Sequence, residues 1–228
     1  MRPIRKFLIF TNMTYTKPTI PPPDPVAEER IPDAYISEVI DGYRYPYKGA
    51  REAIEHNETP ESIMGDSGLQ AYIKRLLFLH ILQALGNRPY EVFSGEIGLH
   101  IDTNNNLSLD LTIFNRNELT PDKITTSFVG VIPKIVIEID VNVESPKLDS
   151  IEGYNFLLKK INRLHAAGVE RVIWIFTKDR KIVVTESEKL WHVLDLNESI
   201  DVMKGVAFNL LELLGAEGIS LEKDQIDT

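Results

Sequence analysis

The chain has 228 residues, 43% apolar and 26% charged, an ordinary globular composition that excludes wholesale disorder and fibrous repeats. It contains no cysteine, which excludes disulfides, thiolate metal sites and cysteine nucleophiles, makes a reducing compartment the natural setting, and leaves only oxygen-rich sites for hard cations. A formal net charge of −9 argues against a broad basic face for gripping phosphates, although Lys74, Arg75, Lys159, Lys160 and Arg163 could form a local basic strip if they are not simply a solvated helix face.

Residues 1–30 read as a Pro-rich N-terminal arm. Phe7 to Phe10 is too short an apolar run for a signal or a membrane span, and Pro21, Pro22, Pro23 and Pro25 fix φ and remove backbone donors. A cytoplasmic protein without membrane contact is expected. One domain is expected over residues 31–215. It opens with a short helical turn or strand from Asp33 to Asp41, then an Asp41-Gly42 turn with Tyr43, Tyr45 and Tyr47 alternating beyond it, so a small hairpin. Over Glu61 to Leu85, Ile63, Leu69, Ile73, Leu76, Leu77, His80, Ile81 and Leu85 recur at helical spacing, and Gly86 supplies the stop. Three extended segments follow, Tyr90 to Phe93, Gly98 to Asp102 and Leu107 to Phe114, with a turn at Asn104, Asn105 and Asn106, so an antiparallel meander. The Val/Ile-rich run Pro133 to Val143, a helix over 153–167 closed by Gly168, and the apolar run Val169 to Thr177 make a β-α-β crossover with parallel strands. Ile182 to Thr185 reads as an added hairpin strand, Ile200 to Met203 as a short strand, Phe208 to Leu214 as a helical piece, and residues 216–228 as a frayed tail. The fold class is α/β with mixed α+β character, a mixed central sheet flanked by helices.

The segment Ile135-Val136-Ile137-Glu138-Ile139-Asp140-Val141 places Glu138 and Asp140 on one face of a strand, because strand side chains repeat every two residues. Two neighbouring carboxylates in an apolar strand need a cation, a hydrogen-bond network, basic partners or an exposed sheet face. A second strand, Leu107 to Ile113, alternates so that Asp110 shares a face with Ser108 and Thr112, and the leucines and Ile113 share the other. That face is either simply solvated or, beside the Glu138 strand, supplies with Glu138 two oxygen ligands of the kind Mg²⁺ takes. On the crossover helix the apolar stripe lets one of Lys159 and Lys160 border the acidic strand edge, where an ammonium could position or deprotonate water or stabilise phosphate charge. The five histidines lack metal-ligand spacing, and His80 is expected to pack rather than ligate. Glu96 reads as a strand-end surface residue or, alternatively, as one near the site, and Trp174 and Trp191 as packing. Nucleotide-binding loops and a Gly-x-Ser-x-Gly elbow are absent from the sequence.

The succession PKIVIEIDV, LLKKINRLHAAGV and ERVIWIFT resembles the restriction endonuclease family within the PD-(D/E)XK nuclease superfamily, and RIPDAYISEVIDGYRYPYKG and ESIMGDSGLQAYI resemble its N-terminal half. The likeness runs from Ile31 to Thr185. It implies a restriction-endonuclease-like core that cuts phosphodiester bonds of nucleic acid, DNA in the first instance, with Mg²⁺ (Mn²⁺ substituting), and a homodimer is among the arrangements that would cut two strands. By this resemblance Asp110 matches the first acidic ligand, Glu138 the glutamate of the E-x-K element, Glu38 an acidic residue near the site, and Gln70 a polar residue of the long helix. Asp140 stands where the family's strand lysine usually does. The lysine then resembles one displaced to the following helix, and its spacing before Gly168-Val169 points to Lys160, with Asp140 a further metal ligand or an ion-pair partner of Lys160. Catalysis needs the ammonium near the reacting water in space, whatever its sequence position. A nuclease-fold binding module whose chemistry has drifted and a metal-dependent phosphoesterase of small substrates are the competing functions.

Overall fold

The structure, a computed structural model, describes residues 31–140 and 151–221, with the backbone alone for 151–154. Strands β1 (Ile36–Ile40) and β2 (Tyr43–Pro46) form the expected hairpin. Its two central residues, Asp41 and Gly42, take φ of 52° and 80°, the left-handed pair that a two-residue turn needs to match strand twist. A short helix that the sequence reading lacked, α1 (Ala50–Glu55), comes next. The long helix α2 (Gly68–Leu85) starts later than its apolar pattern suggests. Ser67 caps it by accepting the Gln70 N–H at 3.2 Å, while residues 60–62 form a separate 3₁₀ turn and Gly65, at φ 133°, breaks the chain between them.

The first two extended segments are one strand, β3 (Tyr90–Asp102), paired antiparallel along β4 (Asn105–Asn115). Their register passes from Ser94 opposite Leu111 to Ile97 opposite Leu109, so three steps on β3 match two on β4. This is a β-bulge, which bends the strand and strengthens the local twist. The crossover forms as expected: β5 (Ile135–Asp140), α3 (Ile151–Ala167) and β6 (Arg171–Phe176), with β5 and β6 parallel. Residues 141–143 of the expected strand lie outside the described residues. Strands β7 (Lys181–Ser187) and β8 (Leu190–Asp195) extend the sheet antiparallel, while β9 (Ile200–Met203) and β10 (Val206–Phe208) make a separate two-stranded ribbon before α4 (Leu210–Ala216).

The main sheet runs β2-β1-β4-β5-β6-β7-β8, with β3 on the remaining edge of β4. Each face carries its own apolar core. Ile73, Leu77 and Ile81 of α2 pack with Ile137, Ile173 and Leu214, and Leu157, Ile161 and Leu164 of α3 pack with Val136, Val172 and Trp174 on the other side. Each fully buried Leu or Ile stabilises the fold by about 1.5–3 kcal/mol relative to exposure. The packed chain runs past the expected domain end at residue 215. Leu221 is buried, and its carbonyl accepts from Arg180 Nη1 at 2.5 Å. No helix among the described residues is long and apolar enough to cross a membrane.

Candidate active site

Because β3 takes one whole edge of β4, the other edge is shared by two strands. β1 pairs there at Val39 with Asn106, and β5 pairs from Leu111 to Ile113. Residues 107–110 lie in the fork between them. Leu107 and Leu109 belong to the core beneath α3, whereas Leu111 and Ile113 belong to the core beneath α2. Strict alternation would have put all four on one side. That expectation fails at Asp110, where the faces of β4 change sides opposite the register shift of the bulge in β3. Beyond Ile137 the ladder between β5 and β4 ends, so the Ile139 N–H donates to a side chain instead: Asp110 Oδ2, at 2.7 Å. The Ile139 carbonyl accepts from Gln70 Nε2 at 3.0 Å.

Two buried lysines enter this fork from opposite helices. From α3, Lys160 Nζ donates to Glu38 Oε1 on β1 at 2.7 Å and to the Ser108 carbonyl at 2.8 Å, and lies 3.3 Å from Glu138 Oε1 on β5. From α2, Lys74 Nζ lies 2.6 Å from Asp66 Oδ1 and 2.6 Å from Asp110 Oδ1. Their side chains are 3% and 4% exposed. The indole of Trp174 and the ring of Phe156 stand 5.5 and 5.7 Å from the Lys160 ammonium, at a separation where an aromatic face attracts a cation.

Two oxygens in the fork, Glu38 Oε2 and Glu138 Oε1, are buried without a hydrogen bond; the Lys160 contact with Glu138 Oε1 is a charge contact only. Burial, reinforced by the neighbouring Asp110 and Glu38 charges, holds the Glu138 carboxyl well above the usual carboxylate value despite Lys160. Burial likewise raises Glu38, against the opposing pull of Lys160. Burial alone would depress the two lysines. Glu138 and Glu38 outweigh it at Lys160, and Asp110 and Asp66 at Lys74, so both ammoniums are held above their ordinary value. Glu38, Asp66, Asp110 and Glu138 against Lys74 and Lys160 leave two negative charges unmatched when all are ionised. Buried charge of that kind calls for a cation or for protons.

The structure therefore brings together Asp110, Glu138, Lys160 and Glu38, and adds Gln70 through Ile139. Lys160 is the lysine that turns inward, while Lys159 stands 3.4 Å over the ring centroid of Tyr43. Asp140, half-buried at the end of β5, accepts through its carbonyl from the Thr177 N–H at 3.0 Å and hydroxyl at 3.2 Å. The imagined basic strip does not form. Lys74 and Lys160 are buried on opposite helices, and Arg163 pairs with Asp102. His80 packs as expected, its Nε2 2.7 Å from the Ala207 carbonyl, and Trp174 is buried. The sequence reading missed Asp66 and the inward role of Lys74. The available signal was spacing: Gln70, Lys74, Leu77 and Ile81 follow the four-three-four rhythm of one helix face. Among the described residues, no three His, Asp or Glu side chains are grouped to hold a metal by themselves.

No family model matches the chain, and no curated protein matches it. By fold it is a mixed α+β protein, its large mixed sheet flanked by helices. A solved structure from Anabaena variabilis, described as a candidate nuclease belonging to DUF820, superposes with a TM-score of 0.57 over 78% of this chain and 89% of that one. The two are 14% identical, so the likeness speaks to the fold.

Proposed function

We propose that this chain is a divalent-metal-dependent endonuclease of the PD-(D/E)XK type, hydrolysing phosphodiester bonds of nucleic acid, DNA in the first instance. The observation that carries the reading is the fork itself, where Glu38, Asp110 and Glu138 meet Lys160 with two charges unmatched and two buried oxygens without hydrogen bonds. The described relative of the same fold, a candidate nuclease, supports the same reading.

The residues fit a Mg²⁺ ion, which commonly takes one or two carboxylates and keeps several waters. Asp110 and Glu138 would hold it, with Asp140 a further candidate. The ion would supply a Lewis acid and a water of lowered pKa. The Ile139 N–H fixes one oxygen of Asp110, and Gln70 donates to the Ile139 carbonyl, so the ligand carboxylate is oriented by backbone and helix together. Glu38 and the Ser108 carbonyl hold the Lys160 ammonium beside Glu138. There Lys160 can donate to a phosphate oxygen or orient the attacking water. The rings of Phe156 and Trp174, 5.7 and 5.5 Å away, add their attraction for a cation to that placement.

A binding module of nuclease fold whose chemistry has drifted is the second reading, favoured because among the described residues no three acidic or histidine side chains are grouped to hold a metal by themselves. The test is cleavage of plasmid, single-stranded DNA and RNA with Mg²⁺ or Mn²⁺ by the purified chain, Glu138→Gln and Lys160→Met. Loss of cleavage by about a hundredfold or more in both variants supports the proposal. Equal cleavage by all three would identify a contaminant and remove it.

A further inference from the structure

We propose that the Lys74 ammonium takes the place of a second cation beside Asp110, so that the fork holds one divalent ion and not two. The inference rests on the reading of Asp110 and Glu138 as cation ligands. Lys74 sits 2.6 Å from a carboxylate oxygen on each of two separate elements, Asp66 before α2 and Asp110 on β4. Bridging two carboxylates from different elements is the task a second metal performs in two-metal sites, where the ions lie about 3.5–4 Å apart and share ligands. The space beside Asp110 Oδ1 on the α2 side is already filled by a charged group.

The charges point the same way. Glu38, Asp66, Asp110 and Glu138 set against Lys74 and Lys160 leave, when all are ionised, an excess of two negative charges, which one divalent ion neutralises. A second ion would leave the buried fork with two unmatched positive charges, a cost that low-polarity surroundings magnify. Asp110 has one oxygen engaged by Lys74 and the other by the Ile139 N–H. Each oxygen has a further lone pair, enough for a single ion but a poor start for a bridge between two. Lys74 is thus a positioning residue, anchored by Asp66 and placed by the helical spacing that aligns it with Gln70, Leu77 and Ile81.

The experiment counts Mn²⁺ bound to the folded full chain by native mass spectrometry, for the wild type, Lys74→Gln, Lys74→Arg and the double variant Lys74→Gln/Asp66→Asn. The expected counts are one, two, one and one, with the second Mn²⁺ of Lys74→Gln also visible as an added rise in melting temperature over the metal-free variant. Two Mn²⁺ on the wild type overturn the inference without any variant, and so does a folded Lys74→Gln that takes only one; in both cases the proposed function stands. A wild type that binds none overturns the inference and the metal-dependent reading together.

Discussion

Lys160 Nζ lies 3.3 Å from Glu138 Oε1, reaching strand β5 from the helix that follows it, while it donates at 2.7 Å to Glu38 on the far side of the fork. One buried ammonium thus serves two buried carboxylates. Removing it by Lys160→Met leaves both uncompensated, which is expected to cost about 3–5 kcal/mol at pH 7.5. Lowering the pH protonates the carboxyls and shrinks that cost. Denaturant unfolding at pH 7.5 and pH 5 checks both statements, and a loss that is small at pH 7.5 or equal at the two values would contradict the pairing.

The Glu138 carboxyl gives a pH dependence of defined sign. Its folded value lies well above the ordinary 4.5 because it is buried and faces Asp110 and Glu38. The native state therefore binds more protons than the unfolded chain above that pH. The associated stability is fully present below about 4.5 and is lost as pH rises through the folded value. Without metal, Glu138→Gln should raise the melting temperature at pH 8 by about 2–4 °C, equivalent to about 1 kcal/mol for a chain of this size. The gain should vanish near pH 4.5. A variant that melts lower than the wild type at pH 8 would show that Glu138 is stabilised there by contacts other than those described.

Gln70 ties α2 to the Ile139 carbonyl, next to the amide that holds Asp110. Gln70→Ala removes the donor and leaves that carbonyl short of a partner, at an expected cost of about 1–2 kcal/mol. Because Ile139 also positions Asp110, Mn²⁺ affinity measured by calorimetry should fall in the same variant. Unchanged affinity would mean that the Ile139 amide holds Asp110 without help from the helix.

A substitution away from the fork separates stability from binding. Gly205 has φ 74°, and a Cβ there would stand 2.9 Å from Arg88 Nη2, whose guanidinium holds the Lys204 carbonyl at 2.7 Å. Gly205→Ala is therefore expected to lower stability by about 1–2 kcal/mol through strained backbone and a displaced Arg88. Mn²⁺ affinity should not move. A change in affinity would show that the β9–β10 ribbon and the fork are coupled.

Much of this arrangement was legible before any coordinates. Glu138 stood out as an anomaly in an apolar strand and Asp110 as a carboxylate in an alternating one, while the resemblance supplied Glu38 and singled out Lys160 from Lys159. Other features depend on pairing, which local patterns do not encode. The sequence reading ends one extended segment at Phe93 and opens the next at Gly98, yet pairing with β4 carries β3 through the interval with a bulge. The change of face in β4 at Asp110 lies opposite that bulge, so strict alternation placed Leu107 and Leu109 on the same side as Leu111 and Ile113. Lys74 was hidden for another reason. A lysine within an apolar stripe reads as the edge of that stripe, and only the counter-charges of Asp66, in the turn before the helix, and of Asp110, on a strand distant in sequence, let it lie inside. Helix α1 and strand β10 escaped because each is short, and β8 because it is mostly exposed and carries no core-facing apolar pattern.

The most direct test is a crystal of the full chain grown with Mn²⁺, with anomalous diffraction used to find the ion. The account predicts one peak, within about 2–2.5 Å of carboxylate oxygens of both Asp110 and Glu138, with the Lys160 ammonium still on Glu38 and Lys74 still between Asp66 and Asp110. A fork without an anomalous peak at saturating Mn²⁺, or an ion held elsewhere while Asp110 and Glu138 remain bound only to protein groups, would contradict it.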